Sequence, residues 1–397
     1  MPEPKFVGNS FVRYACLLIA AVAWPGASMA ETDNPLTLRA TYSSQNDSNL
    51  FHQPNASAEQ ISMSSLGLGF QTQQSLQSFY LNLNLVDNKY QNFSYLNYTA
   101  TNYDAAWQFA VTSQLHGKLS SSWQETLNNY EDVKSVSTRY LNVNKSTRLD
   151  ATYEIDGSWN ALVGWSQNLQ NNQRDQVQGS DFTSVASNIG LAYVFGSGSK
   201  VSFTTLQSAG EYLNQPATAA TFFDDSFQQT DNELRLHWVL SGSSVTDLYV
   251  TSRSVSHPHV AARNFSGTVG GASVNWAATG KTSFSAAWSR ELSTYQTIDA
   301  NYSQADRITL GADWQVLAKL GLSLRHDVAH TTYLAGPLPF LQSQRQDDQT
   351  NTSLALTWTP RTQCTVSASV QNSARTSNTP GLDFTGALTS LTATLNF

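Results

Sequence analysis

The chain has 397 residues, a formal net charge of −7 and 2 cysteines, and only 13% of its residues are charged. A net negative chain without a basic patch lacks the electrostatic footprint of a nucleic-acid-binding protein. Two cysteines are too few for a disulfide scaffold or a cysteine-rich metal site. Ser, Thr, Asn and Gln are frequent from end to end, so no change in composition divides the chain into soluble domains.

Residues 1–30 are predicted to be an export signal peptide. Lys5 and Arg13 supply the positive start, and the apolar run over residues 14–24 is too short to span a bilayer as a helix. Small residues at the first and last positions of 28–30 suit a signal peptidase. The mature chain is therefore expected to begin at Glu31.

The position of the two cysteines bears on this expectation. Cys16 lies at the start of the apolar run instead of just after it, which disfavours the alternative of a lipoprotein anchor. Cys364 is then the only mature cysteine, and the mature chain carries 20 basic and 28 acidic residues. We expect one domain over residues 31–397.

Apolar and polar residues alternate along the mature chain, which predicts β-strands. Successive side chains of a strand point to opposite faces, so alternation gives one apolar and one polar face. In residues 233–240 the even positions are Leu234, Leu236, Trp238 and Leu240, whereas Glu233, Arg235 and His237 lie between them. Residues 307–316, 320–327 and 354–358 repeat the pattern. Such strands are typical of a barrel with lipid outside and water inside.

Turn residues divide the alternating segments into about eighteen strands of an antiparallel up-and-down transmembrane barrel, with sixteen or twenty as alternatives if one hairpin is split or merged. The predicted strands cover residues 36–45, 60–71, 76–90, 93–111, 115–127, 139–155, 159–170, 182–195, 199–212, 227–240, 244–255, 263–277, 281–293, 302–316, 320–331, 348–359, 362–373 and 384–397. Their connections are alternately short and long. Outer-membrane barrels keep short turns in the periplasm and long loops outside, so both termini are expected to be periplasmic.

Proline and tryptophan positions agree with this division. Proline cannot donate to a sheet ladder, and every mature proline, including Pro360, falls outside the predicted strands. Tryptophans near the ends of the apolar faces predict interfacial girdles, although packed aromatics in a soluble sandwich are an alternative. These are Trp107, Trp123, Trp159, Trp165, Trp276, Trp288 and Trp314.

The chain ends in an alternating segment with Leu391, Ala393, Leu395 and Phe397 on one face. A final strand that closes on Phe397 resembles the signal read by the barrel-assembly machinery. This machinery and the outer-membrane lipids, including lipopolysaccharide, are therefore expected partners, and localisation in a bacterial outer membrane follows.

Several short segments resemble the EpsL-type outer-membrane barrels of exosortase-associated (PEP-CTERM) exopolysaccharide loci, a branch of the β-barrel porin 2 group. They are LNYTATNYDAAW at 96–107, HGKL at 116–119, NYSQAD at 301–306, LGADW at 310–314, TWTPR at 357–361 and RTSN at 375–378, followed by Asp383, Phe384 and the terminal Phe397. The family often has Tyr where this chain has Phe384. The resemblance implies a component of polysaccharide biosynthesis and secretion, with a polysaccharide substrate and a periplasmic export lipoprotein as partners, and it supplies no catalytic residue.

Inward-facing charges are the candidate lining of the pore. They are Arg148, Asp150, Glu154, Glu233, Arg235, Arg307, Asp313, Arg325 and Asp327. Both signs occur, which favours a neutral or weakly charged substrate over a strongly anionic polymer. The alternative is that these residues form ion pairs across the wall and only stiffen the barrel.

Histidines give the only constellations to test for an enzyme. His326 and Asp327 are adjacent on a predicted strand, so their side chains point to opposite faces and cannot act together. His257 and His259 lie in a loop and are expected to be plain surface residues, and His330 has no companion in sequence. We therefore predict no catalysis, no cofactor and no metal.

Three functions stay open at this point. Export of exopolysaccharide comes first, because a wall dense in Ser, Thr, Asn and Gln can exchange hydrogen bonds with a hydroxyl-rich polymer that must also be released. A general or sugar-selective diffusion porin comes second. An adhesin or structural barrel that uses its long loops comes third.

Overall fold

The computed structural model describes residues 35–397 except 129, 132–137, 173–180, 214–221, 296, 298, 337 and 339–342. The predicted signal peptide therefore lies outside the described residues. So do most of the predicted long loops at 128–138, 171–181 and 213–226, and the prolines at 216, 337 and 339.

Eighteen β-strands account for most of the described residues, which confirms the predicted number. They are β1 (Leu36–Asp47), β2 (Glu59–Gln74), β3 (Gln77–Tyr90), β4 (Tyr98–Ala110), β5 (Leu115–Leu127), β6 (Leu141–Glu154), β7 (Trp159–Asn171), β8 (Phe182–Val194), β9 (Lys200–Tyr212), β10 (Ser226–Ser241), β11 (Ser244–Ser256), β12 (Phe265–Thr279), β13 (Thr282–Thr294), β14 (Tyr302–Leu317), β15 (Leu320–Leu334), β16 (Gln346–Arg361), β17 (Cys364–Ser377) and β18 (Phe384–Asn396). One-turn 3-10 segments occur at Ser94–Leu96 and Ala261–Arg263.

The strands form one closed antiparallel sheet. Each strand pairs with its neighbours in sequence, and β1 also pairs with β18 to close the barrel. Leu38 and Phe397 exchange two backbone hydrogen bonds at this seam, of 3.0 and 2.8 Å. With strands about 4.8 Å apart and tilted by about 40°, opposite backbones of an 18-stranded barrel are about 35 Å apart. A barrel of this width encloses a lumen that wall side chains do not fill.

Short turns lie at one end of the barrel and longer loops at the other. We number the loops in chain order as L1 (48–58), L2 (91–97), L3 (128–140), L4 (172–181), L5 (213–225), L6 (257–264), L7 (295–301), L8 (335–345) and L9 (378–383), and we call the end that carries them the mouth. Both β1 and β18 have their chain termini at the turn end. By the usual orientation of outer-membrane barrels, the mouth is extracellular.

The outer wall is apolar and exposed, as the alternation predicts. In β10 and β11 the paired residues Leu234 and Val250 are 49% and 48% exposed, an exposure that a soluble sandwich core would not show. Their neighbours Glu233 and Thr251 face the lumen and share a hydrogen bond of 3.3 Å. The described residues contain no helix long and apolar enough to cross a membrane.

The tryptophan girdle differs from its prediction. Trp107, Trp159, Trp276 and Trp314 are exposed on the outer wall near the turn end, where they form a girdle. Trp165 and Trp288 are also exposed, but they lie in the middle of their strands. On the mouth side the outer faces of β13 to β16 carry ion pairs instead, namely Arg290 with Asp306 at 2.8 Å and His330 with Asp348 at 2.7 Å. This row marks the upper border of the apolar belt.

Two local predictions are corrected. The fourth strand begins at Tyr98 and not at residue 93, because Ser94–Leu96 forms a 3-10 turn whose Leu96 is fully buried. Pro360 lies inside β16 and not in a turn. The register between β16 and β17 shifts between Trp358 and Arg361, so Pro360 occupies an irregular position where no ladder donor is needed.

Candidate functional site: the lumen and its mouth

All nine residues predicted to line the pore lie on the inner face of the wall. Their positions alternate with exposed apolar residues of the same strands, as Arg148 and Asp150 do with Leu149. In β14, Asp313 is the neighbour of outward-facing Trp314, and in β15, Arg325 is the neighbour of outward-facing Leu324. The structure thus places these side chains in the lumen, on four of its strands.

Most of these charges form ion pairs at close range. Arg148 contacts Asp150 at 2.6 Å and Arg235 contacts Glu233 at 2.8 Å, each within one strand. Arg325 of β15 contacts Asp313 of β14 at 2.8 Å. The pairs therefore follow a strand or join neighbouring strands, instead of crossing the lumen. Because they are about half exposed, each contributes little stability, about 1 kcal/mol or less.

The remaining three predicted residues differ in the ion pairs and hydrogen bonds that their side chains form. Glu154 lies 3.7 Å from His116, and Asp327 accepts a hydrogen bond of 2.6 Å from Thr309. The side chain of Arg307 forms neither an ion pair nor a hydrogen bond within the described part of the chain. It is therefore the least constrained of the nine charges.

Two further ion pairs on the inner wall were not predicted. Arg253 of β11 contacts Asp231 of β10 at 2.8 Å, and His237 contacts Asp247 at 2.8 Å. The alternation of apolar and polar residues cannot predict these pairs, because it fixes the face of a side chain but not the register between strands. With them, the inner-wall charges described so far lie on β6, β10, β11, β14 and β15.

Another part of the inner wall is built from hydroxyl groups. Hydroxyl oxygens of neighbouring strands lie within hydrogen-bond distance at Thr41 and Thr394 (3.1 Å), Ser43 and Thr392 (2.9 Å), Ser369 and Ser390 (2.7 Å), and Thr357 and Ser367 (3.4 Å). These residues belong to β16, β17, β18 and β1. The middle of the wall in this region is lined by uncharged hydroxyl groups, with Arg39 below them at the turn end and Arg375 above them at the mouth.

Amide side chains line a recess next to this hydroxyl surface. The recess has a volume of about 590 Å³, and its amides are Asn84, Asn102, Gln124, Asn144, Asn168 and Gln170. Amides offer both donors and an acceptor, so they suit uncharged polar solutes. The lumen therefore has a neutral polar side and an ion-paired side.

Loops close part of the mouth above the neutral side. An apolar cluster forms where L1, L2 and L3 meet the inner face of β2 and β3 at the mouth. Its members are Phe51, Ile61, Tyr90, Leu96 and Tyr130. We call these five residues the mouth cluster. Tyr130 is 2% exposed, so this residue of L3 is packed into the mouth cluster.

Glu131 of L3 links L1 to β17, which lies beyond the seam between β1 and β18. Its carboxylate lies 2.9 Å from His52 Nδ1 in L1 and 3.5 Å from Arg375 Nη1 on β17. Arg375 is held further by a hydrogen bond to the Leu382 carbonyl, of 2.7 Å, and by the ring of Phe384. His52 stacks on the same Phe384 ring, with 4.5 Å between ring centroids. We call Glu131, His52 and Arg375 the mouth latch.

A second group of contacts joins L5 and L6, where the sequence had singled out His257 and His259. His259 is exposed, as expected, and its Nδ1 lies 3.1 Å from Asp224 and 2.9 Å from Asp225. His257 is 2% exposed, so its expected place on the surface is wrong. Burial lowers the pKa of His257 to about 4, which keeps it neutral at pH 7.

Asp224 is the centre of this junction and is fully buried. Burial alone would raise its pKa, but hydrogen bonds from the His259 ring and from the backbone N–H groups of Ser226, His259 and Val260 outweigh burial and lower the pKa. Arg263, also fully buried, donates to the carbonyls of Phe222 at 2.7 Å and Ala300 at 2.8 Å. L5, L6 and L7 are thereby tied together.

The other histidine candidates lie on the outer wall. His326 is within 2.8 Å of the Thr352 hydroxyl, whereas Asp327 faces the lumen, so the two side chains are on opposite faces as predicted. His330 pairs with Asp348. The described residues therefore bring no histidine together with a nucleophile in the lumen.

The chain is similar to one family model and to several solved barrels. The model described as "Putative beta-barrel porin 2" matches residues 250–397, the part from the middle of β11 to the C-terminus. No curated protein matches the chain.

Among solved structures, OccK1 (OpdK) of Pseudomonas aeruginosa superposes with a TM-score of 0.51 at 10% identity, covering 91% of this chain and 99% of that one. A structure of OpdK with vanillate gives the same values. OccK3 (OpdO) of the same organism has a TM-score of 0.51 at 13% identity, covering 91% and 95%. One of the similar OpdK structures is described as an outer membrane protein. This likeness shows the fold, which is that of an outer-membrane β-barrel.

Proposed function

We propose that the chain is an outer-membrane channel through which small hydrophilic solutes diffuse, and that it performs no chemistry on them. One observation carries this proposal: the wall of a closed 18-stranded barrel is apolar outside, and its inner face is mainly polar below the apolar clusters at the mouth. This distribution of side chains is stable only in a wall with lipid on one side and water on the other.

The comparisons support a diffusion channel more than an exporter. The matching family model is named for porins, and the solved barrels of the same fold include one with a small solute, vanillate. The contacts of the lumen agree, because its charges are largely neutralised in pairs and leave no continuous track of one sign. Such a lining suits neutral or weakly charged solutes that must be released as readily as they bind.

The test is conductance of the purified, folded barrel in planar lipid bilayers. We expect stepwise openings on insertion, and swelling of proteoliposomes in isosmotic solutions of small sugars. Vanillate is a useful first charged solute, and heat-unfolded protein is the control. A folded barrel that inserts but neither conducts nor admits sugars would overturn the proposal.

Export of exopolysaccharide is the second candidate. The hydroxyl surface on β16, β17, β18 and β1 and the amide recess beside it favour this function, because together they offer a polymer many uncharged groups for hydrogen bonds. Deletion of the gene separates the two. An exporter leaves polymer trapped in the periplasm, whereas a diffusion channel leaves surface polysaccharide unchanged and reduces solute uptake.

The third candidate, an adhesin or structural barrel, finds less support in the loops. Phe51 of L1 and Tyr130 of L3 are buried in the mouth cluster, so these two aromatic residues are not available to a ligand outside. A barrel that binds a surface ligand without conductance would favour this candidate.

A further inference from the structure

Three side chains with metal-binding atoms meet where L5 contacts L6. One carboxylate oxygen of Asp224, one of Asp225 and Nδ1 of His259 all lie within 4.8 Å of one another. The two carboxylates are adjacent in sequence, whereas His259 comes from the neighbouring loop more than thirty residues later. The approach of the two loops therefore creates this group, and no local sequence motif does.

The geometry suits a small cation. The Nδ1 atom of His259 lies 3.1 and 2.9 Å from the two carboxylate oxygens. Ligand atoms around a tetrahedral ion with bonds of about 2.0–2.1 Å are about 3.3 Å apart, so the two His259 contacts would need to lengthen by only a few tenths of an ångström to admit one.

One ligand is fixed and two are accessible. Asp224 is immobilised by backbone N–H groups of Ser226 (3.1 Å), His259 (2.8 Å) and Val260 (2.7 Å). The side chains of Asp225 and His259 are 42% and 56% exposed, so an ion can reach them from the mouth and keep water as a further ligand. A fixed oxygen beside two reachable ligands is an open site on a rigid support.

One ring nitrogen of a buried imidazole beside the group lacks a partner, although the other lies 3.4 Å from the Tyr212 hydroxyl. The ring of His257 is 2% exposed, and its Nδ1 makes no hydrogen bond within the described residues. It lies close enough to Asp224 for the carboxylate to act on it electrostatically. A buried polar atom without a partner is unusual and points to a ligand or an alternative arrangement at the same place.

We propose that Asp224, Asp225 and His259 bind a divalent transition-metal ion of the zinc class and that this ion clamps L5 to L6. The ion neutralises two neighbouring carboxylates that otherwise share one imidazole. An imidazole ligand favours zinc over calcium and magnesium, which prefer oxygen alone. The site goes beyond the proposed function and does not depend on it.

The test is zinc binding by the full barrel, purified without a histidine tag and kept in detergent. Isothermal titration with zinc chloride should show one site per chain, with calcium chloride binding far more weakly. Asp225→Asn and His259→Ala should each weaken zinc binding by about tenfold or more. Asp224 is left unchanged in this test, because its loss would free several buried backbone groups.

The matched control is His330→Ala. His330 also contacts an aspartate, Asp348, at 2.7 Å, but no third ligand joins them within the described residues. This variant should bind zinc as the unmodified barrel does. If His259→Ala misfolds, the isosteric Asp225→Asn decides the outcome. Unchanged zinc affinity in folded Asp225→Asn, an equal loss in His330→Ala, or calcium bound as tightly as zinc would overturn the proposal.

Discussion

Arg375 Nη2 donates a hydrogen bond of 2.9 Å to the backbone carbonyl of Glu131, although the two residues are 244 positions apart. Glu131 follows β5 and Arg375 lies on β17, six strands away around the wall. Six strand spacings amount to about 29 Å, measured around the wall and across the strands. Glu131, near the start of L3, therefore lies against the inner wall at the mouth, in contact with both L1 and β17.

Arg375→Ala is expected to release L3 and widen the mouth. The arginine side chain is 5% exposed, and its loss leaves the partly buried Glu131 carboxylate without its guanidinium partner. Breaking a buried pair in this way costs about 3 kcal/mol. Single-channel conductance should rise, and L3 should become more sensitive to protease.

Arg39→Ala is the control for the latch. Arg39 is also an inner-wall arginine, but it is exposed and donates to Asn396 at the turn end, far from the mouth. Its loss should leave L3 protected. Equal protease sensitivity and conductance in Arg375→Ala and the unmodified barrel would contradict a narrowing role.

Neutralising one member of the pair between Asp313 and Arg325 is expected to change ion selectivity in opposite directions. Asp313→Asn leaves a positive side chain in the lumen and should favour anions, whereas Arg325→Gln leaves a negative one and should favour cations. The two side chains are 45% and 40% exposed. Stability should therefore change by about 1 kcal/mol or less.

The reversal potential across a salt gradient measures this selectivity. Asp348→Asn removes an equal charge from the outer wall and should leave the reversal potential unchanged. A shift of the same sign in Asp313→Asn and Arg325→Gln would show that these charges do not face the conducting path.

Gly190→Ala is expected to destabilise the barrel. A Cβ atom at Gly190 would lie 2.4 Å from the Thr204 methyl group and 2.6 Å from the Phe203 carbonyl oxygen, and the latter is backbone that cannot move freely. Overpacking of this kind costs about 1–3 kcal/mol. Gly157, in the turn between β6 and β7, has nothing within 4 Å of such an atom. Urea unfolding in lipid vesicles should separate Gly190→Ala from Gly157→Ala, and equal midpoints would contradict the expected clash.

Removing the terminal aromatic ring is expected to affect assembly and leave stability nearly unchanged. Phe397 is 72% exposed, and its contacts to Leu38 use backbone atoms that Phe397→Ala retains. In cells, the amount of folded barrel in the outer membrane should fall, while the same variant refolded in detergent should unfold like the unmodified protein. Leu36→Ala, an exposed apolar residue at the other side of the seam, serves as the control. Normal assembly of Phe397→Ala would remove the case for an assembly signal.

The sequence by itself determined the face of each side chain and indicated about eighteen strands, with sixteen or twenty left open until the structure showed eighteen. Period-two alternation is a local property, because each peptide unit turns the next side chain to the opposite face. Leu234 therefore had to face lipid once Glu233 faced the lumen, and Arg148, Asp313 and Arg325 could be assigned to the inner wall with no knowledge of their neighbours. The strand ends were equally local, apart from the turn at Ser94–Leu96, where burial of Leu96 outweighs the extended pattern.

Only the tertiary structure decided which of these residues meet. The pair between Arg253 and Asp231 depends on the register of two strands. The contact between Glu131 and Arg375, and that between Asp224 and His259, depend on how the closed wall brings separate loops over one mouth. Alternation constrains neither, since closure and loop packing join residues whose separation along the chain carries no periodic signal.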